Sequence, residues 1–485
     1  MPKVRVFFVD CHPKRPQKDR ALDDVERRAH AARETHRKRE AQRNSNQSSR
    51  VTTPSPTSET ILHRADPFDA ASVKIDNAVA GLLHYYVYFY HPTLWPNEMA
   101  VLRQGVYTFQ SAVNRIMRTV VEDSLTMYCL LSASASRLQF IDRLPSTAVT
   151  GKDDYYMRNA LRLLRSRIET QPIQTHEQLR QLLICIVFLT SAECYRDDVA
   201  AATTHLQAAV DLLDRHGGLM SIQDENLQGQ LAMSDLYLAC VRLKPCLFEC
   251  DYDPGPASAL CLGDHELSPI QSESVASSLL DRDTSIVPSA LRDVIEQLVE
   301  SYDVKSRLQT SFTSPSRALQ VTHWITTRNM AIRNRLLALT THDPKTHALR
   351  TAIIMWTLLA MNVTGRAKTV KVMAPMLKDI LTQIPTTSLG WVGAQDIRLW
   401  ILIVGFSCAD EGSPVAEWFA AQCCAFARSW SWSLGSTNSS LCRLDEAFVT
   451  ERLETFQRRG FFFDAHVQSP RTRKLARAIS ASISG

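Results

Sequence analysis

The chain has 485 residues, of which 45% are hydrophobic and 22% are charged, a composition that can bury a sizeable core. The longest apolar runs, at 182–189 and 399–406, are far shorter than the roughly 20 residues of a membrane span. Residues 6–9 form too short an apolar run for a secretory signal. We therefore expect a nuclear or cytoplasmic protein that makes no contact with a membrane.

The positive charge is concentrated in the first 50 residues. These hold 14 Lys/Arg against 7 Asp/Glu, whereas the rest of the chain holds 41 against 43. A nearly neutral body has no global electrostatic reason to bind nucleic acid or an anionic surface. Any such contact is therefore expected from the N-terminal arm.

Residues 1–43 are predicted to be a basic arm, with an exposed helix at 21–43. Its basic side chains include six on this helix: Arg27, Arg28, Arg33, Arg37, Lys38 and Arg39. Such a run can serve nuclear import or weak contact with phosphates, but charge runs are also commonly just solvated helices. Residues 44–66 predict a disordered Ser/Thr/Pro-rich linker. A basic zipper is excluded because leucines every seven residues are missing there.

The remainder is predicted to be all-α, an array of antiparallel helix pairs at 67–477 followed by a tail at 478–485. Apolar residues recur at helical spacing, and no strand alternation persists. Helices are expected at 74–90, 98–117, 120–144, 153–169, 230–244, 290–309, 315–339, 347–361, 374–383, 393–407, 415–430 and 444–460, in addition to the central pair described next. The last of these is followed by an aromatic cluster at 461–463.

A central helical hairpin at 173–219 is expected to organise this array. The two helices should be joined by a tight turn at 195–196, with Asp197 as the N-cap of the second helix. Gly217 and Gly218 should end that helix, because glycine supplies the left-handed conformation of a C-cap. Neither helix can bury its apolar face alone, so the other helices must supply partners.

Two further expectations come from proline and from polar composition. Residues 251–289 lose helical periodicity and predict a poorly ordered insertion with at most one short helix. Pro375 suits the first position of the helix expected at 374–383.

Sequence motifs for catalysis or metal binding are missing. The 16 glycines form no phosphate-binding loop. His176 and Glu177 begin like a zinc-protease motif, but Arg180 stands where the second histidine is needed. Cys11 is followed by no cysteine before Cys129, so the six closely spaced cysteines of a binuclear zinc cluster are absent. We expect no metal and no cofactor.

The acidic pairs at 153–154 and 197–198 raise the alternative of an all-α terpene cyclase. Such an enzyme holds Mg²⁺ and a diphosphate through several carboxylates on one helix face. Neither pair has a further acid three or four residues on. Both are better explained as helix starts, where negative charge is favourable.

Motifs along nearly the whole chain resemble one family of filamentous-fungal proteins, those with a fungal-specific transcription factor domain. They are F-V-D at 8–10, H-P at 12–13, R-A-H-A-A-R-E-T-H-R-K-R at 28–39, D-P-F at 66–68, the aromatic helix at 84–90 with L-W-P at 94–96, A-E-C-Y-R at 192–196, H-G-G-L at 216–219 and F-F-F-D at 461–464. Many members lack the zinc cluster, as this sequence does.

The resemblance implies an all-α regulatory domain and a role in transcriptional control, often of specialised-metabolism gene clusters. Zinc-cluster relatives read DNA through their metal module, which this sequence does not have. We therefore expect a nuclear, non-enzymatic regulator or co-regulator that acts through protein partners. The alternatives are a cytoplasmic helical scaffold and, less favoured, an all-α enzyme with an unfamiliar site. The sequence leaves the oligomeric state open.

Overall fold

The computed structural model describes residues 71–94, 110–143, 152–261, 287–307, 315–360, 366–385, 391 and 394–434. The chain divides into two units, Met1–Pro67 and Phe68–Gly485, and all described residues belong to the second. The basic arm, the linker and the helix predicted at 444–460 lie outside the described residues.

The described part contains thirteen α-helices and no strand, which confirms the all-α prediction. The helices are α1 Asn77–Tyr85, α2 Gln110–Glu122, α3 Ser124–Ser136, α4 Asp153–Thr170, α5 His176–Arg196, α6 Val199–Asp214, α7 Glu225–Arg242, α8 Ser289–Arg307, α9 Pro315–Ala338, α10 Pro344–Ala360, α11 Arg366–Thr382, α12 Gln395–Cys408 and α13 Pro414–Leu434. A π turn follows α1 at Tyr86–Tyr90 and another follows α3 at Arg137–Ile141, and short 3₁₀ turns lie at His91–Leu94, Leu219–Ser221 and Ala257–Leu260.

Helices α3 and α5 form the centre of the core. Residues 182–190 of α5 are all buried, as are all residues of α3 except Ser124 and Tyr128. A helix that is apolar on every side must be enclosed by others. Helix α5 packs against α3, α6 and α7, and further consecutive pairs form between α8 and α9, α10 and α11, and α12 and α13.

The turn inside the central hairpin differs from the prediction by one residue. Helix α5 continues through Arg196, and Asp197 adopts the left-handed conformation with a φ of 66°. The N-cap of α6 is Asp198, whose carboxylate accepts a hydrogen bond of 2.9 Å from the Ala201 amide. The prediction that Asp197 is the N-cap was wrong because aspartate suits both positions.

The other end of the hairpin confirms the glycine prediction. Gly217 and Gly218 have φ values of 93° and 79°, and the amide of Gly218 donates to the carbonyl of Leu213 at 2.8 Å. The acidic pair at 153–154 also starts a helix as predicted, because both residues lie in the first turn of α4.

The predicted bounds of several helices differ from those in the structure, most clearly at the end of α2 and the start of α11. Helix α2 runs on to Glu122, and Asp123 caps α3 by accepting from the Thr126 amide at 2.9 Å. Pro375 lies inside α11 instead of at its start. The residues around it, Ala374 and Leu377, are fully buried, so tertiary packing overrides the local preference of proline for a helix start.

Residues 251–261 are folded, which corrects the predicted insertion over this part. Asp253 forms an ion pair of 2.7 Å with Arg328, and the indole of Trp324 donates to the carbonyl of Gly255 at 3.1 Å. These partners lie about seventy residues further along the chain, so no local pattern could reveal them. Residues 262–286 lie outside the described residues.

The close packing of α12 on α13 predicts opposite effects for two glycine substitutions. A Cβ at Gly405 would lie 2.7 Å from Cδ1 of the buried Phe419 ring and nearer still to other ring carbons. Gly405→Ala should therefore destabilise the fold by about 1–3 kcal/mol. Gly81→Ala meets no atom within 4 Å and should instead stabilise by roughly 1 kcal/mol through helix propensity. Urea unfolding, followed by circular dichroism, measures the free energy of unfolding of both variants. Equal stability of the two variants would show that α12 does not pack closely on Phe419 of α13.

Candidate functional site

The end of α5 is held by a lysine from a distant helix. Lys368 of α11 donates through Nζ to the carbonyls of Cys194 at 2.6 Å and Tyr195 at 3.2 Å. The same ammonium lies 2.6 Å from the carboxylate of Asp197. The last carbonyls of a helix lack partners and carry partial negative charge. Lys368 supplies both the donors and the opposite charge.

A second cation at this corner joins α5 to α4. Arg196 donates through Nη2 to Asp153 at 2.7 Å and also to Asp154, and its Nη1 lies 3.9 Å from Glu193. Burial raises the pKa of Glu193, and the nearby Arg196 only partly offsets that effect. The acidic pair is thus bound by a guanidinium and has no arrangement for holding a metal ion. Residues 193–198, with their partners on α4 and α11, are called the α5 corner below.

An aromatic cluster lies beside the α5 corner, where the two π turns meet. The guanidinium of Arg137 lies 4.8 Å from the centre of the Tyr90 ring, a cation–π contact. Arg137 also donates to the hydroxyl of Thr93 at 2.6 Å and lies 3.6 Å from the carboxylate of Asp142. The Tyr90 ring meets the Tyr195 ring edge to face, with 5.9 Å between centroids. Helix π turns often mark functional sites.

The imidazole, thiol and phenol groups in and beside this cluster are neutral near pH 7. Burial lowers the pKa of His91 to about 4 and raises the pKa of Cys194 to about 12. Burial also raises the pKa of Tyr85, whose hydroxyl donates to Asp142. Side chains held away from titration near neutral pH suit a structural role more than proton transfer.

The structure brings together motifs that are separate in the sequence. The aromatic helix at 84–90 meets the A-E-C-Y-R segment through the Tyr90–Tyr195 contact. In the H-G-G-L segment, Nδ1 of His216 lies 2.7 Å from the Leu212 carbonyl at the end of α6. These motifs therefore describe how helices are joined and capped.

An open groove of ≈ 630 Å³ lies between α4, α5 and α6. Its apolar lining includes Leu164, Leu182 and Ile186, and Ile168 at its side is 60% exposed. Its charged lining includes Arg167, which pairs with Asp123 at 2.5 Å. Hydrogen bonds from Arg167 and Thr126 hold the pKa of Asp123 below its usual value, although burial alone would raise it. A groove with apolar walls and a mixed polar lining has the character of a binding surface.

The sequence-predicted site residues, Arg27 to Arg39 of the arm, lie outside the described residues. Within the described ranges, no three His, Cys, Asp or Glu side chains are grouped to hold a metal ion. No described helix is long and apolar enough to cross a membrane. Glu177 of the partial zinc-protease motif pairs with Arg180 at 2.7 Å instead.

Sequence reasoning missed Arg137 and Lys368. For Arg137 the signal was its position directly after α3, a buried helix without charged residues, where arginine is rare unless it is paired. Lys368 carries no such signal, because α11 contains several other charged side chains. The sequence does not show which distant partner such a residue has.

Residues 81–242 match the family model of the fungal specific transcription factor domain. The match covers a third of the chain. It confirms the resemblance over the aromatic helix at 84–90 and over both helices of the hairpin. No curated protein and no solved structure matches the chain. The match supports a role in the regulation of transcription and implies a regulator more than an enzyme.

The α5 corner yields a stability prediction with a matched control on the same helix. Lys368→Met removes the donors to two partly buried carbonyls and should lower the free energy of unfolding by about 1–3 kcal/mol. Lys371, one turn on, pairs with Asp410 at 2.6 Å, but both side chains are more than half exposed. Lys371→Met should therefore cost less than about 1 kcal/mol. Chemical denaturation of both variants checks this, and equal losses would show that the cap does not stabilise α5.

Proposed function

We propose that the protein is a nuclear regulator or co-regulator of transcription that acts through protein partners. The observation that carries the proposal is the match of residues 81–242 to the fungal specific transcription factor domain. The chemistry of the described residues is consistent with it. The polar side chains of the α5 corner bond to one another, and the groove beside α5 offers apolar surface of the kind that another protein could cover.

The N-terminal arm is proposed to serve nuclear import or weak contact with DNA. Its charge supports this role, since the first 50 residues carry a net +7 and the rest a net −2. Contacts of Lys and Arg with phosphates release counterions, so any DNA binding should weaken steeply with salt. Base readout needs side chains that a rigid scaffold holds in a groove. Sequence specificity would then come from a partner protein.

The regulated genes are proposed to include a specialised-metabolism cluster, on the strength of the family resemblance. Transcript profiling of a deletion strain tests this role directly: loss of the protein should change the transcripts of a linked gene group. An unchanged transcriptome under every growth condition in which the protein is expressed would contradict a regulatory role and favour a cytoplasmic helical scaffold.

A triple substitution in the arm tests its part in import. Arg37, Lys38 and Arg39 replaced together by Ala should shift a fluorescently tagged protein from nucleus to cytoplasm, because the basic run is what an import receptor would bind. The control replaces Arg158, Arg162 and Arg165, three exposed arginines of α4, by Ala.

The control variant loses the same charge from a helix of the folded body and should remain nuclear. Normal localisation of the arm variant, together with no binding of DNA by the isolated arm at low salt, would show that the arm is only a solvated helix. Exclusion of both variants from the nucleus would assign import to net charge and not to this segment.

A further inference from the structure

A buried arginine of α9 has no partner within the described part of the chain. Arg333 is only 2% exposed. Its Nε and Nη1 atoms are enclosed without any hydrogen-bond acceptor, and no ion pair joins it to a described residue. A guanidinium carries five N–H donors and stays charged at every physiological pH. An isolated buried charge is energetically costly, and no residue in the described part of the chain offsets that cost.

Other arginines of the same helix show the usual solution. Arg328 forms an ion pair with Asp253 at 2.7 Å, and Arg335 donates to Gln297 at 2.6 Å. The guanidinium groups of both neighbours thus have partners on the side chains of other segments. The lack of a partner at Arg333 is a property of its own position and not of α9 as a whole.

The thiol and phenol groups around Arg333 are neutral and cannot act as its counterion. Burial raises the pKa of Cys240 to about 12 and also raises the pKa values of Cys246 and Tyr252, so these groups keep their protons. The carboxylate of Asp235 on the neighbouring α7 is already engaged. It accepts the amides of residues 247 and 248 at 3.0 Å and 2.7 Å.

Arg333 lines a cavity of ≈ 30 Å³ where α7, α9, α10 and α11 meet. The walls include Leu236 and Tyr237 of α7, Leu358 of α10 and Thr369 of α11. A cavity needs roughly 10–15 Å³ to hold one water molecule, so this one has room for a group of very few heavy atoms. Its walls are mainly apolar, and Arg333 is the charged residue among those that line it.

We propose that this cavity is an anion site in which Arg333 binds the carboxylate of a small organic acid. A carboxylate matches the planar fork of a guanidinium and can accept two parallel hydrogen bonds from it. Its single negative charge neutralises the single positive charge, whereas a multiply charged phosphate would leave excess charge against leucine walls. The cavity size limits the bound part to a carboxylate with a very short alkyl group.

The cavity and the α5 corner share a stretch of α11, because Thr369, which lines the cavity, directly follows Lys368, which caps α5. Ligand binding would hold α7, α9, α10 and α11 together and so would stabilise the helix whose lysine caps α5. The inference does not depend on the proposed role in transcription, since binding is a property of the purified full-length protein. Failure of the anion site would therefore leave the proposed role in transcription untouched, and the reverse also holds.

Thermal unfolding in different sodium salts tests the proposal. At equal ionic strength and pH, sodium formate or sodium acetate should raise the melting temperature of the full-length protein above its value in sodium chloride by about 2 °C or more. Arg333→Met keeps much of the side-chain volume and removes the charge, so the difference between salts should vanish. Arg165→Met, at an exposed site on α4, should keep the full difference.

Two results would overturn the carboxylate site. They are an equal melting temperature of the wild-type protein in the carboxylate salts and in sodium chloride, and an unchanged difference between these salts in Arg333→Met. If Arg333→Met does not fold, isothermal titration of the wild-type protein with sodium acetate in chloride buffer decides the matter. Saturable heat with one site per chain supports the proposal, and the absence of saturable heat refutes it.

Discussion

The fold depends on how the C-terminal end of α5 is satisfied. The carbonyls of Cys194 and Tyr195 at this end are partly buried, and the last carbonyls of a helix have no partner within it. Lys368 provides the missing donors from more than 170 residues away, and Arg196 binds the first turn of α4. One helix end thereby fixes two other helices, and the left-handed Asp197 can then direct the chain into α6.

Buried cations join helices elsewhere in the domain by the same means. Arg137 connects the two π turns through Tyr90, Thr93 and Asp142. Asp253 accepts from Arg328 and thereby fixes a segment without regular structure against α9. Each pair specifies one arrangement of helices whose apolar faces could otherwise slide. Arg333 is the exception, because no described residue pairs with it, and this is why a ligand is proposed as its counterion.

Sequence periodicity was sufficient for the fold class and for most helices, since apolar spacing reports the buried face directly. Capping was harder. The glycines at 217 and 218 were predicted correctly because few other residues suit a positive φ, but Asp197 and Asp198 could each serve as a cap. The α5 corner could not be predicted, because Lys368 is an ordinary lysine until the fold brings it to Cys194 and Tyr195. Pro375 was misplaced for a related reason, since burial of α11 outweighs its local preference.

The link through Lys368 should make α5 and α11 parts of one cooperative unit. Native-state hydrogen exchange, followed by mass spectrometry, measures this coupling. The amides of residues 182–190 and of residues 369–381 should exchange with the same free energy of opening and respond equally to low denaturant. If α11 instead opens at a much lower free energy while α5 stays protected, the two helices are independent and Lys368 does not couple them.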